Sequence, residues 1–210
     1  MATETTATRT RVSKQAQRRE RRREELLDVA DRVIRRRGVD VSMDEIASEA
    51  GITKPVLYRH FGDKDGLFRA LTERYVAELK VALRPATQAT EPRDRLAAAI
   101  DAYLVYVERE PERYRFLVHA SEQPRTAAIV ADFRRRNIAE CAFTSEENLR
   151  RAGMHPGFAE PWAECVSGMV RAAGTSWLET RSLPRDRLVD YLTTILWDGF
   201  SSLRRANGGT

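Results

Sequence analysis

The chain contains 210 residues, 42% of them hydrophobic and 32% charged, and it carries a formal net charge of +5. This composition is that of a globular protein long enough for one large or two small domains with a buried core. No segment reaches the roughly 18 consecutive apolar residues of a membrane helix, and the N-terminus lacks an apolar signal region, so a cytoplasmic location is expected.

The positive charge lies mainly at the N-terminus, where the first 23 residues contain eight Arg and Lys against two Glu. Residues 1–18 have few apolar side chains, which predicts a flexible basic arm that is disordered alone and becomes ordered beside DNA phosphates. A solubilising tail or a membrane-surface patch has a similar charge, but this arm lacks the aromatic or leucine face of membrane-binding helices.

Two helices are predicted next. The first runs from about Arg19 to Arg37, with Gly38 after its end. The second begins at Ser42, because Ser42 and Glu45 have the spacing of a capping box, in which each side chain accepts a hydrogen bond from an unpaired backbone N–H. Gly51 can take the left-handed conformation that ends a helix.

A third helix follows this turn. Thr53 is a suitable N-cap, and Pro55 lies in the first turn, where a missing N–H does no harm. A short helix after such a turn fits the major groove of B-DNA. The side chains predicted to face the core are Ile52, Val56, Leu57 and Phe61, and those predicted to face outward are Lys54, Pro55, Tyr58, Arg59 and His60.

These residues resemble the DNA-binding signature of the TetR family of one-component bacterial repressors. The resemblance covers directly about the first third of the chain and is carried by the run Gly51-Ile52-Thr53-Lys54-Pro55-Val56-Leu57-Tyr58-Arg59-His60-Phe61, followed by Lys64 and Leu67. It implies an all-α homodimeric repressor that a ligand releases from operator DNA. The expected architecture is a three-helix DNA-binding domain followed by a helical domain for effector binding and dimerisation, with about nine helices in total.

The resemblance also implies roles for individual residues. The positions of Ser42, Thr53, Tyr58 and Lys64 contact phosphates in the family, and such contacts fix the register without reading sequence. The positions of Lys54, Pro55, Arg59 and His60 lie near bases or the neighbouring backbone. Arg59 or Lys54 on a guanine edge is the preferred specific contact, and Pro55 suits a thymine methyl. Many relatives have Gly where this chain has Pro55, which alters the approach of the helix.

Each residue alone also allows a structural interpretation. Tyr58 and Phe61 are suitable core aromatics, Lys64 a solvated lysine, and Arg59 a partner in a surface ion pair. The capping box, the Gly turn and the Tyr-Arg-His-Phe run occur in a fixed order, and this combination favours DNA binding.

The remaining chain is predicted to be helical, with prolines between the helices or at their starts. The DNA-binding domain is assigned to residues 19–62, the effector-binding and dimerisation domain to 63–206, and a disordered tail to 207–210. The predicted fourth to ninth helices cover about Lys64–Arg84, a stretch around Leu96–Val107, a short one after Pro111, about Thr126–Ala152, about Phe158–Thr180, and about Arg185–Ala206.

The last two predicted helices carry more apolar residues than one neighbour can cover, and Gly168 and Gly174 allow close approach. Two such helices can form a four-helix bundle with their copies, as the dimer of the family does. The alternative is that both are core helices of a monomer. The predicted interface consists of Val166, Val170, Ala173, Trp177, Leu192, Ile195, Leu196, Gly199 and Leu203.

A mainly apolar effector pocket is expected within the fifth to eighth helices, where the family binds its effectors. Aromatic residues and Met at helical spacing are more often core residues, so packing remains the alternative for each. His119 and Glu122 are three residues apart, but no third ligand is near them, and neither a metal site nor a cofactor is expected. The predicted lining residues are Tyr103, Tyr106, Phe116, His119, Cys141, Trp162 and Met169.

Two other classes of function compete. A small helical enzyme is disfavoured, because the chain lacks a Gly-rich phosphate loop, a nucleophile elbow and a metal-spaced Cys/His cluster. An architectural DNA-binding protein needs the basic arm but not the apolar excess of the later helices. Cys141 and Cys165 are too few for a disulfide framework and are predicted to be buried thiols. The predicted function is a sequence-specific repressor with operator DNA, a small effector and a second copy as partners.

Overall fold

The computed structural model describes residues 2–84, 91–139 and 155–207, with side chains described for 15–84, 91, 93–136, 155 and 157–199. This described part of the chain is helical and contains no strand. The nine α-helices of these ranges are α1 (Ala2–Arg37), α2 (Met43–Glu49), α3 (Lys54–Phe61), α4 (Lys64–Leu83), α5 (Pro92–Arg109), α6 (Pro111–Glu122), α7 (Ala127–Ala139), α8 (Ala159–Thr180) and α9 (Arg185–Asn207), and a 3₁₀ helix (Pro156–Phe158) precedes α8. The predicted all-α fold class is therefore confirmed.

Helix α1 begins at Ala2, well before the start expected near Arg19. The segment predicted to be a disordered arm, residues 1–18, is thus helical from its second residue. No Gly or Pro interrupts the sequence between Ala2 and Arg37, and its Ala, Arg, Lys, Gln and Glu residues all favour a helix. Helix α1 ends at Gly38, which has a φ of +83° and donates its N–H to the carbonyl of Ile34 at 2.7 Å.

The chain divides into two compact units, Met1–Thr72 and Glu73–Thr210. The division lies within α4, whereas the boundary predicted from the sequence lies before that helix, between residues 62 and 63. The part of helix seven predicted beyond Ala139 and the tail after Asn207 lie outside the described residues.

The first unit has a core built from α1, α2 and α3. Each of the three helices contributes apolar side chains with at most 4% of their surface exposed. Gly66, in the first turn of α4, lies against the end of α3, because a Cβ on Gly66 would be 1.9 Å from the carbonyl oxygen of Phe61. The core residues include Leu26, Leu27, Ala30, Val33, Ile34, Met43, Ile46, Ala47 and Leu57.

The second unit is organised around α5, α8 and α9. Trp177 anchors the core, and its indole N–H donates to the carbonyl of Leu183 at 2.8 Å. Gly174 brings α8 close to α5, since a Cβ there would be 3.3 Å from Tyr103 Cε1. The cluster comprises Leu96, Ile100, Leu104, Val166, Trp177, Leu188, Val189, Leu192 and Leu196.

Ion pairs at the start of α9 complement this apolar core. Arg185 lies 3.0 Å from Asp101 and 2.6 Å from Glu108 of α5, and Arg181 also pairs with Glu108 at 3.0 Å. Hydrogen bonds to these carboxylates raise the pKa of Arg185 above its usual value. The two pairs of Arg185 orient the start of α9 along α5, its most extensive neighbour, and the pair of Arg181 joins the end of α8 to the same helix.

Candidate nucleic-acid interface and ligand cavity

The turn between α2 and α3 has the local geometry predicted from its sequence. The Ser42 hydroxyl accepts a hydrogen bond from the backbone N–H of Glu45 at 3.2 Å, and Glu45 Oε2 accepts from the N–H of Ser42 at 2.8 Å. Hydrogen bonds from Ser42 lower the pKa of Glu45. Gly51 has a φ of +64°. The capping box and the glycine turn are confirmed.

Ser42 and Thr53 differ in how far their hydroxyl groups are engaged. The Ser42 hydroxyl also donates to Glu45 Oε2 at 2.9 Å, so a contact with a phosphate would have to replace that bond. Thr53 has the extended backbone of an N-cap, but its side chain makes no capping hydrogen bond to α3 and lies exposed. Of the two hydroxyls predicted to contact phosphates, that of Thr53 is the more accessible.

Helix α3 turns one face to the core and the other outward. Leu57 has no exposed surface and Phe61 is 9% exposed. On the outer face, Pro55 and Arg59 are exposed, while Lys54, Tyr58 and His60 are half-buried. Ile52 and Val56 are half-buried rather than fully in the core. The predicted outward set is therefore only partly accessible, and Pro55 and Arg59 are its exposed members.

Lys54 is held by a carboxylate of the preceding helix. Its ammonium Nζ lies 2.8 Å from Asp44 Oδ2 of α2, and this hydrogen bond raises the pKa of Lys54. A base contact by Lys54 must therefore compete with this ion pair. No corresponding partner of Arg59 is found in the described part of the chain, which leaves its guanidinium available on the same helix.

His60 lies in a strongly basic environment. Burial lowers its pKa first, and the positive charges of Arg59 on α3 and of Arg19, Arg22 and Arg23 on α1 lower it further. Its Nδ1 is buried without a hydrogen-bond partner among the described atoms. The imidazole is therefore neutral near pH 7 and lies among four cations.

Contacts from α1 and α4 position the two-helix motif. Arg36 pairs with Glu49 at 2.8 Å, Arg37 pairs with Glu45, and the Arg23 guanidinium lies 5.2 Å from the centre of the Phe61 ring. Lys64 is exposed at the start of α4, with its ammonium 5.1 Å from the centre of the Phe68 ring. The positive end of the helix dipole repels a lysine at a helix N-terminus. A nearby anion would offset this repulsion.

The second unit contains an apolar cavity of about 130 Å³. Its wall is formed by the part of α4 after Thr72 and by α5, α6, α7 and α8. An engineered cavity of about 150 Å³ admits a benzene molecule, so this space accommodates a small apolar group. The lining residues are Val76, Leu79, Leu83, Leu96, Ala99, Ile100, Tyr103, Tyr114, Leu117, Val118, Ser121, Val130, Phe133, Arg134, Val166, Ser167, Val170 and Arg171.

Most of the predicted pocket residues lie elsewhere, and Tyr103 alone of those described lines the cavity. Phe116 is fully buried edge-to-face against Tyr75, with ring centres 5.3 Å apart. Tyr106 lines a separate surface groove, and Trp162 stacks on Phe158. His119 is half-buried outside the cavity and Met169 is 39% exposed, while Cys141 lies outside the described residues. Helical spacing identified buried faces but not which neighbour each face meets.

The predicted dimer interface also divides between core and surface. Val166, Trp177, Leu192 and Leu196 belong to the core of a single protomer, so packing rather than dimerisation accounts for their burial. Ile195 is 57% exposed, and Gly199 is exposed with no atom near its Cβ position. Val170 and Ala173 are half-buried against that core, and the side chain of Leu203 lies outside the described set.

Helix α9 has a second apolar stripe on its outer side. Tyr191, Ile195 and Gly199 recur at four-residue steps and are exposed, whereas Leu188, Leu192 and Leu196 recur at the same steps and are buried. Because both stripes are apolar, the sequence analysis did not separate them, and the predicted interface contains residues of each. The expectation that α9 is apolar on two sides agrees with this arrangement.

Three further expectations were that the cysteines are buried, that the chain has no metal site and that it has no membrane helix. Cys165 is exposed rather than buried, because it faces away from the core on α8. Among the residues whose positions are described, no group of His, Cys, Asp or Glu is placed to hold a metal ion. No helix in the same ranges is long and apolar enough to cross a membrane.

Two all-helical units, one with a solvent-facing helix-turn-helix and the other with an apolar cavity, are the features of a DNA-binding regulator. Comparisons with known proteins give the family. The family described as "Bacterial regulatory proteins, tetR family" matches residues 26–71, and that described as "Tetracyclin repressor-like, C-terminal domain" matches residues 78–210.

Full-length relatives agree with both matches. An uncharacterised HTH-type transcriptional regulator of Mycobacterium tuberculosis is 35% identical over 190 residues, which are 89% of this chain and 80% of that protein. The HTH-type transcriptional activator FasR of Mycolicibacterium smegmatis is 31% identical over 87% of this chain and 84% of its own. A crystal structure of a TetR-like regulator from Rhodococcus sp. RHA1 is 28% identical, with a TM-score of 0.66 over 85% of this chain and 96% of that chain. The protein belongs to the TetR family and is a DNA-binding transcriptional regulator, not an enzyme.

Proposed function

We propose that this regulator is a homodimeric repressor that binds a palindromic operator and is released from it by a small, mainly apolar effector. The observation that carries the proposal is the exposed side of α3, where Arg59 has no ion-pair partner among the described residues and Lys54 has one that DNA can displace. Arg on a guanine edge is the commonest specific contact in the major groove.

The proposed contacts divide into two kinds. Thr53, Tyr58 and Lys64 position the helix through phosphates, with Ser42 contributing if its bond to Glu45 is exchanged. Arg59, and Lys54 after it leaves Asp44, read base edges, while Pro55 and His60 contact the adjacent groove wall. Two copies related by a two-fold axis then bind half-sites about one helical turn apart.

The apolar cavity supports the ligand-responsive part of the proposal. Residues Val76, Leu79 and Leu83 of α4 form part of its wall. A ligand that favours a different position of α4 lowers operator affinity only by its differential affinity for the two states. Complete release needs about 5.5 kcal/mol of that difference.

An architectural DNA-binding protein without an effector is the second candidate, favoured by the basic residues at the start of the chain. It predicts equal affinity for random and selected DNA. One of the relatives, FasR, is an activator, so whether this regulator represses or activates transcription is a separate question. The expression of a reporter gene placed behind the selected operator answers it.

Selection of binding sites from random duplexes, followed by two substitutions, tests the proposed contacts. Lys64→Ala should weaken binding to all sequences alike and reduce the salt slope by about one, because a phosphate contact is lost. Arg59→Ala should cost about 1 to 3 kcal/mol and relax the preference at one base pair. Identical behaviour of the two variants, or uniform reactivity of every guanine N7 in footprinting, would contradict the division into positioning and reading residues.

A further inference from the structure

The ligand cavity holds two arginines and no acid. Arg134 of α7 and Arg171 of α8 line a wall that is otherwise formed by apolar, tyrosine and serine residues, and none of its residues is Asp or Glu. A guanidinium remains charged at any physiological pH. The cavity therefore has a positive lining on a mainly apolar background.

Both arginines have hydrogen-bonding capacity to spare inside the protein. The Nε atoms of Arg134 and Arg171 are buried and have no hydrogen-bond partner among the described atoms. No ion pair of either side chain occurs in the described ranges, although Arg135 and Arg136, the next residues of α7, both pair with Asp132. Buried N–H donors without acceptors are unfavourable, and a bound acceptor relieves that cost.

The other polar groups of the cavity already have partners. The Tyr114 hydroxyl lies 2.7 Å from Thr175 Oγ1 and 3.2 Å from the carbonyl oxygen of Arg171. The Ser121 hydroxyl donates to the carbonyl of Val118 at 2.6 Å, and the Ser167 hydroxyl to that of Glu164 at 3.3 Å. The buried donors that still need a hydrogen-bond acceptor are therefore those of Arg134 and Arg171.

Tyr103 lines the same cavity as the two arginines. Its ring lies 5.9 Å from that of Tyr114 at 84°, and burial raises its pKa well above the usual value. The charges of Arg171 and Arg134 act on this pKa in the opposite direction. Tyrosine and arginines from α5, α7 and α8 thus converge on one region.

We propose that the effector is an apolar molecule with one anionic head group, bound with the head between Arg134 and Arg171 and the apolar body against Leu79, Leu83, Leu96 and Ile100. This inference rests on the proposed ligand-responsive function and narrows its ligand from apolar to acidic amphipathic. Guanidinium groups bind carboxylates and phosphates through paired, charge-assisted hydrogen bonds, which alcohols and amines cannot form.

Isothermal titration calorimetry with matched straight-chain probes tests the ligand class without any variant. The intact protein is titrated with carboxylates from hexanoate to hexadecanoate, with the alcohols and amines of the same chain lengths, and with octyl phosphate. A carboxylate or octyl phosphate should bind about tenfold or more tighter than the alcohol of equal length, and the amine should bind least. Octyl phosphate against octanoate shows which anionic head is preferred.

Substitutions then locate the head group. Arg134→Gln and Arg171→Gln should each remove the preference for the carboxylate over the alcohol, whereas Arg134→Lys and Arg171→Lys should keep part of it. Arg135→Gln is the matched control, because Arg135 is exposed on the same helix and does not line the cavity. Circular dichroism confirms that each variant is folded.

Equal affinity for carboxylate and alcohol, absence of binding by every anionic probe, or an unchanged preference in both Gln variants would overturn the inference. Operator binding is measured in parallel by fluorescence anisotropy. Intact operator binding with no anion preference rejects the ligand class alone, whereas loss of any preference for the selected operator rejects the proposed function itself.

Discussion

His60 shows how the charges of single side chains in the first unit interact. Its imidazole lies on α3, the helix proposed to contact DNA, and feels the charges of Arg59 on the same helix and of Arg19, Arg22 and Arg23 on α1. The four arginines concentrate positive charge where phosphates are expected, and His60 stays neutral among them. The free energy of this arrangement depends on pH.

Acidification should destabilise the protein through His60. Its pKa in the folded chain lies below the usual 6.5, so the unfolded chain takes up the proton first as the pH falls. The free energy of unfolding should therefore decrease as the pH drops below about 6.5. His60→Gln should reduce this decrease, as measured by urea unfolding at pH 7.5 and 5.5 with circular dichroism. An identical loss of stability in both proteins would contradict the role assigned to His60.

At the scale of helices, the contact between α2 and α3 is an ion pair as well as an apolar packing. Asp44 is 70% exposed and Lys54 is 40% exposed, so their 2.8 Å contact adds little to stability. We expect its larger effect on DNA binding, because it places a negative charge beside the helix proposed to enter the groove and engages one cation of that helix.

Asp44→Asn should therefore strengthen binding to random duplexes, and binding to the selected operator at least as much, because it removes a negative charge and releases Lys54 for the base edges. We expect a gain of a few fold at low salt and a salt slope steeper by up to about one, since the surface facing the phosphates gains one net positive charge. The free energy of unfolding should change by less than about 1 kcal/mol. The control is Asp190→Asn, which changes the net charge equally on an exposed site of α9. An equal gain in both variants would attribute the effect to total charge rather than to the release of Lys54.

The helices themselves were largely predictable, because Gly, Pro and capping residues mark where many of them begin and end. Gly38 and Gly51 have the positive φ expected after α1 and at the turn, and α5 and α6 begin at Pro92 and Pro111. The start of α1 was not predictable, because a basic composition suggested disorder while each residue also permits a helix. The close approach at Gly66 also escaped prediction, since nothing local to that glycine shows which carbonyl it meets.

At the scale of the molecule, the least predictable feature was which residues of distant helices pack against one another or line the cavity. Arg134 and Arg171 were missed as ligand-binding candidates, because a lone Arg on an amphipathic helix resembles a solvated residue until its neighbours are known. Leu192 and Ile195 are three residues apart and both apolar, yet one is 5% and the other 57% exposed. Periodicity identifies an apolar face, whereas the choice between core, cavity and interface depends on how helices distant in sequence pack.

The exposed stripe of α9 supports a specific prediction for the proposed dimer. Ile195→Asp should convert the dimer to monomer and weaken operator binding strongly, because a single recognition helix buries little DNA surface. Val81→Asp is the matched control, since Val81 is 68% exposed on α4 and an acidic residue there leaves the α9 stripe intact. Sedimentation equilibrium measures the assembly state. A monomeric Val81→Asp, or a dimeric Ile195→Asp, would place the interface on another surface.

The division of the chain within α4 has a practical consequence for protein engineering. All lining residues of the cavity lie between Val76 and Arg171, on the C-terminal side of Thr72. A continuous helix crosses the junction, so a chimaera spliced there in helical phase needs no artificial linker. Under the proposed ligand response, residues 73–210 joined to the DNA-binding unit of another family member form a biosensor for the effector.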